Sequence, residues 1–403
     1  MRAIPLRHQS EKTLHSPAGL CHSRFDASNV RGFLRFAINA ATMTFVLTPL
    51  LISCAHRPAP AIAAPAGATS EERESREALE NLIPRAVADR AGWARDIQAA
   101  LMVLDVGVTR QNMCAVAAVI EQESGFRVDP VVPGLPAIAS REIDVRAEHA
   151  GVPRIVVHAA LELKSPNGRS YADRIAAART EKDLSDIYED FIGTLPLGRT
   201  LFADRNPIRT RGPMQVNVVF AEQYASVRHY PYPANAGIAD ELFTRRGSIY
   251  FGTAHLLGYH PAYDDYLYRF ADFNAGQYAS RNAAFQNALS SASAIPVVPD
   301  GALLPHDSSE VGSTELALRA MDKKLGLGNG AIHDALAEGK GADFGRTALY
   351  RRVFEIAERN AGHPFARASL PRIQLHGPKI GRRLTTEWYA RRVDERFKRC
   401  LRQ

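Results

Sequence analysis

The feature that most constrains this chain is the apolar spacing in Val116-Ala117-Ala118-Val119-Ile120-Glu121-Gln122-Glu123-Ser124-Gly125-Phe126. Val116, Val119, Ile120 and Glu123 stand three, four and seven positions apart, so on a helix they share one face. Glu121 lies about 200° from Glu123 at roughly 100° per residue and points to the other side. One acid therefore follows the apolar stripe inward at the end of a helix. Thr109 is the expected N-cap, with Asn112 in the first turn, and Gly125 the expected stop. A carboxyl group held against apolar surface keeps its proton to higher pH, which suits a general acid. The same residue also reads as a last-turn Glu at the rim of a core, paired with an arginine.

With 403 residues, 46% of them hydrophobic, the chain can fill a sizeable core as one large domain or two ordinary ones. The formal charge is +7, of which residues 1–53 carry +4. The balance of about +3 is no nucleic-acid footprint. Arg31 and Arg35 precede an apolar run from Phe36 to Ser53, followed by Cys54. A basic region, a short apolar segment and small residues before a cut describe a secretory signal peptide over residues 1–53. Residues 1–29 are long and polar for such a region and point to translation starting near Val30. Residues 54–72 are Ala/Pro-rich at first and read as a tether. Beyond it the apolar stripes of Leu79, Leu82, Ile83 and Val87, and of Ile97, Leu101 and Leu104, predict helices.

Three further motifs follow in order: Gly212-Pro213-Met214-Gln215-Val216-Asn217, Gly247–Gly252, and Phe273-Asn274-Ala275-Gly276. With Glu123-Ser124-Gly125-Phe126 these resemble the signatures of lytic transglycosylases, the lysozyme-like enzymes that cleave peptidoglycan, over roughly residues 95–290. The fuller pattern, with its basic tail, also resembles the YaiW-like outer-membrane lipoproteins. The first resemblance implies Glu123 as the single catalytic acid/base. It implies Ser124, Gly212, Met214, Gln215, Asn217, Phe273 and Asn274 as substrate-binding residues, peptidoglycan glycan strands as partner, and no cofactor or metal. The Leu51-Ile52-Ser53-Cys54 ending resembles a bacterial lipobox, which makes Cys54 the lipidated first residue of a chain anchored in the cell envelope. The absence of Asp after it implies the outer membrane. His255 and His260 have no further ligand pattern and read as structural. Cys114 and Cys400 are the thiols left after Cys21 and Cys54. They form either a disulfide between the key helix and the last one, or two separate buried thiols.

The chain departs from those enzymes in two places. An insertion, residues 129–211, separates the first two motifs, with helical segments near 138–150, 154–163, 171–178 and 181–193. It holds other acids, Glu142, Glu162 and Asp204, that could serve as a second carboxylate. The position before Asn274, usually a Tyr whose hydroxyl lies near the catalytic acid, is Phe273; Tyr250, Tyr266 or Tyr268 would have to replace it. A Ser/Pro/Gly-rich stretch from 290 to 313 marks the end of the core. Helices near 314–324 and 344–361 follow, then a last helix from Thr385 with Tyr389, Val393, Phe397 and Cys400 on one face.

The expected fold is mainly α: a lysozyme-like helical domain over 73–290 with the insertion, and a C-terminal helical extension over 291–403 packed on it. Two functions fit: a lytic transglycosylase-like enzyme, or a non-catalytic glycan-binding or envelope-interaction lipoprotein. Fold alone does not choose between them.

Overall fold

The computed structural model describes residues 69–305, 310–375, 377 and 383–403. The expected signal peptide, Cys54 and the expected tether up to residue 68 lie outside them. The described residues form eighteen α-helices and four very short strands, a mainly α fold.

Three helices open the main core: α1 (Ser70–Leu82), α2 (Arg90–Val103) and α3 (Arg110–Glu123). Thr69 caps α1 in a capping box with Glu72, so the helix begins inside the predicted tether. The helix ends at Leu82, because Pro84 disfavours helical backbone before it, and this leaves Val87 outside the stripe it was predicted to share. Thr109 caps α3 by accepting the Asn112 backbone N–H, as its sequence predicts. The single apolar face predicted for α3 is a simplification. Every residue from Met113 to Ile120 is buried, so α3 is enclosed on all sides rather than lying on a surface.

The insertion folds as α4 (Leu135–His149), α5 (Arg154–Leu161), α6 (Tyr171–Ala177), α7 (Glu181–Thr194) and α8 (Gly198–Phe202). It has its own small core around Leu135, Tyr171, Ile175 and Ile187. The ribbon β1 (Thr210–Arg211) and β2 (Val216–Asn217) pairs antiparallel around the Gly-Pro-Met-Gln turn. Then α9 (Val218–Val227), α10 (Ile238–Glu241), α11 (Arg245–Leu257) and α12 (Tyr266–Ala275) return to the main core.

A second core forms around α13 (Ala279–Ser293), α14 (Ser313–Arg319), α15 (Asp322–Leu325), α16 (Asn329–Ala337) and α17 (Ala348–Ala361). The boundary predicted at residue 290 therefore cuts a helix. Between the two cores, buried Asp272 accepts from the hydroxyls of Tyr259 and Tyr263 and from the Ser280 backbone N–H. The ribbon β3 (Gln374–Leu375) and β4 (Leu384–Thr385) leads into the last helix, α18 (Thr386–Leu401). That helix is not an appendage to the main core. Tyr389, Val393, Phe397 and Cys400 are buried in the main core, against both α3 and α12.

Candidate functional site

Cys114 and Cys400 form a disulfide with Cα atoms 5.6 Å apart, joining the first turns of α3 to the last turn of α18. At the other ends of the same helices, the Tyr389 hydroxyl donates to Glu123 Oε1 at 2.5 Å. The two helices thus run antiparallel and are joined at both ends, by the disulfide at one and by Glu123 and Tyr389 at the other. One turn earlier on α18, the Thr386 hydroxyl donates to Asn274 Oδ1 at 2.7 Å. Residues 386 and 389 share a helix face, so α18 gathers Glu123 from α3 and Asn274 from α12 to one place.

Glu123 is half-buried, whereas Tyr389 is buried. Burial, then the Glu123 charge and the hydrogen bond to it, push the Tyr389 phenol well above its ordinary range, so it stays a neutral donor. At this helix end Glu121 meets Arg399 at 2.5 Å and Arg396 at 3.8 Å. The hydroxyl that Phe273 cannot supply comes from none of the three tyrosines considered. Tyr266 donates to Asn112, Tyr250 packs on Phe251, and Tyr268 meets Tyr263 edge-on.

Phe273 forms part of an aromatic wall. The His255 ring centroid lies 4.5 Å from that of Phe220 and 5.2 Å from that of Phe273. His255 Nε2 donates to the Phe273 carbonyl at 3.2 Å, since a carbonyl only accepts, while Nδ1 is buried without a partner. Burial lowers this imidazole to about 4, so the ring is neutral. Its place is structural, beneath the end of α12.

Four residues predicted to touch substrate have other duties. Ser124 is buried and donates its hydroxyl to the Ile120 carbonyl, closing the end of α3. Asn217 caps α9 by accepting the Phe220 N–H. Met214 is wholly buried, with its backbone N–H on Ser248 Oγ at 3.0 Å. Gly212 has φ +71°, and a Cβ there would stand 1.9 Å from the Leu242 carbonyl, so packing rather than ligand approach demands the glycine. Gln215 is half-buried at φ +49°; its amide donates to Glu181 at 3.0 Å and its carbonyl accepts from Thr210 at 2.9 Å. The motif glutamine is thereby tied to the first residue of α7 in the insertion. Of the predicted second acids, Glu142 lines a cavity inside the insertion.

Glu123 and Asn274, gathered by Tyr389 and Thr386, form the candidate site, with Phe273 next to Asn274 in the chain and packed on His255. A half-buried carboxyl hydrogen-bonded to a neutral phenol can exchange a proton with a bound hydroxyl or ether oxygen. Glu181, Thr386 and Tyr389 escaped sequence reasoning. Tyr389 had a usable signal: it lies eleven residues before Cys400, and Glu123 nine after Cys114. An antiparallel pairing through those cysteines would have brought the two together.

The chain belongs to the family described as protein of unknown function (DUF1615), whose model matches residues 86–403. It is also 49% identical over 321 residues to the uncharacterized protein YaiW of Escherichia coli (strain K12), a match covering 80% of this chain and 88% of that one. No solved structure matches it. The matched region takes in all four motifs and α18, and so the whole candidate site.

Proposed function

We propose that this protein is a lytic transglycosylase-like enzyme of the peptidoglycan. It would cleave the β-1,4 bond between N-acetylmuramic acid and N-acetylglucosamine with Glu123 as sole acid and base. The hydrogen bond from Tyr389 to Glu123 carries the reading. The enzymes this chain resembles hold a tyrosine hydroxyl near the catalytic acid, and here α18 supplies one where Phe273 does not. In the first half-reaction protonated Glu123 gives its proton to the glycosidic oxygen as the bond to C1 of the muramic sugar breaks. The Tyr389 hydroxyl donates to the carboxylate that remains, a charge-assisted hydrogen bond. In the second, Glu123 takes the proton of the sugar's own 6-hydroxyl as that oxygen bonds to C1, leaving a 1,6-anhydro end. A scheme with two carboxylates would need a second acid about 5–9.5 Å away. Phe273 and Asn274 would hold the sugar at the wall. Lipid on Cys54 would anchor the enzyme in the outer membrane of a bacterial envelope.

A specific observation favours the other reading, a non-catalytic glycan-binding or envelope-interaction lipoprotein. The Gln215 amide, offered to substrate in the resembled enzymes, is engaged by Glu181, Thr210 and the Gly212 carbonyl. Incubating purified mature protein with sacculi separates the two. Release of soluble fragments by the wild type and none by Glu123→Gln supports the enzyme. Intact sacculi that retain bound protein support the binding module.

A further inference from the structure

The helices of the insertion, with Gly377 from outside it, border a half-open space of about 830 Å³. Small-molecule sites occupy roughly 300–1,000 Å³. The wall is aliphatic and aromatic: Ile138 and Ile143 from α4, Val157 and Leu161 from α5, Leu184 and Phe191 from α7. An apolar groove of this size left uncovered marks a place where something binds. The space also explains an oddity of α5. Its sequence is apolar, yet none of its residues is buried, and Val156, which lines the space, is 55% exposed. Surface contacts hold it to α4, His158 to Asp144 at 3.0 Å and Arg154 to Glu148 at 3.4 Å.

Two polar features describe the rest of an occupant. Tyr171 lines the space at 1% exposure, and its hydroxyl is buried with no hydrogen-bond partner. Nearly all buried hydroxyls find one, and the other lining tyrosine, Tyr188, does so on the Phe202 carbonyl. Arg146 and Arg209 also line the space, and with Arg205 their charges act on Tyr188 against that of Glu189. Two lining acids oppose them, Glu142 and Glu181, and the second is held by the Gln215 amide.

We propose that the insertion is a binding site for one long-chain fatty acyl group. Its chain lies against α4, α5 and α7, and its oxygen-bearing end is hydrogen-bonded by the Tyr171 hydroxyl. A flexible chain suits a wall of branched aliphatic side chains, and one oxygen-bearing end suits one unpaired hydroxyl. The assignment stands whether or not Glu123 is catalytic.

The test uses the full chain with Cys54→Ser, which carries no attached lipid, titrated with the fluorescent fatty acid cis-parinaric acid and competed with palmitate. Saturable one-to-one binding displaced by palmitate is expected. Ala160→Trp, placed in the wall, should weaken it at least tenfold, with Val157→Trp as the steric block should the first variant not fold. Tyr171→Phe should weaken it about tenfold, the loss of one hydrogen bond, with Tm unchanged or higher, because no protein partner is lost. Mass spectrometry of the solvent extract distinguishes free fatty acid from phospholipid. Loss of parinarate binding in the lipidated wild type would identify the chain's own acyl group as occupant. Absence of saturable binding, or equal binding by the tryptophan variants, overturns the site. Unchanged affinity in Tyr171→Phe overturns the placement of the oxygen-bearing end.

Discussion

Removing the bond between Cys114 and Cys400 should loosen the protein as a whole and the Glu123 site in particular. The bridge closes a loop of 286 residues. For a loop of that size the chain-entropy relation gives about 5–6 kcal/mol, and measured values for single bridges more often fall near 2–4 kcal/mol. At about 2–4 °C per kcal/mol for larger domains, this is a fall of roughly 5–15 °C in Tm. The perturbation is Cys114→Ala with Cys400→Ala in a chain beginning after Cys54, which has no other cysteine. Thermal unfolding of this variant should match that of the wild type in reductant and lie below that of the oxidised wild type. Because α18 carries Tyr389 and Thr386, loosening it should also reduce whatever Glu123 does. Two free thiols in the denatured, unreduced wild type, or identical melting with and without reductant, would refute the reasoning.

Three further outcomes are expected. Tyr389→Phe removes one hydrogen bond to a charged group, worth about 1.5–3 kcal/mol; glycan cleavage should fall roughly 10–100-fold with unchanged affinity for sacculi, read by solubilisation and pull-down. His255 has an imidazole lowered to about 4 in the fold, so the unfolded chain binds more protons between that value and about 6.5. Its contribution is complete above pH 6.5 and lost as pH falls toward 4, up to about 3 kcal/mol; His255→Phe should flatten the pH dependence of Tm over that window. Gly212→Ala places a Cβ 1.9 Å from the Leu242 carbonyl at φ +71°, and should cost about 1–3 kcal/mol or more by denaturant titration.

The helices of the insertion and the caps of α3 and α18 could be read from the chain, because capping residues and turn formers act within a few positions. The site was legible only where one residue does the work alone. Glu123 follows an apolar stripe, but its partner Tyr389 lies 266 residues away, and no local pattern encodes such a contact. Ser124, Met214, Gly212 and Asn217 sit in motifs whose spacing suits either ligand contact or packing. Burial, caps and a close carbonyl decide for packing, and those are properties of the fold. The domain boundary failed for a related reason. A Ser-rich stretch looks like a linker, yet Ala292 and Val297 in it are buried in the second core. The cavity had no signal at all: α4, α5 and α7 have ordinary apolar spacing, and only their mutual arrangement leaves room between them.

The most direct test of the central claim is a mass spectrum of the muropeptides released from purified sacculi by the wild type and by Glu123→Gln. A single acid whose anion is held by Tyr389 predicts 1,6-anhydro-muramic ends from the wild type and none from the variant. Equal release by both proteins, or fragments ending only in reducing muramic acid, would contradict it.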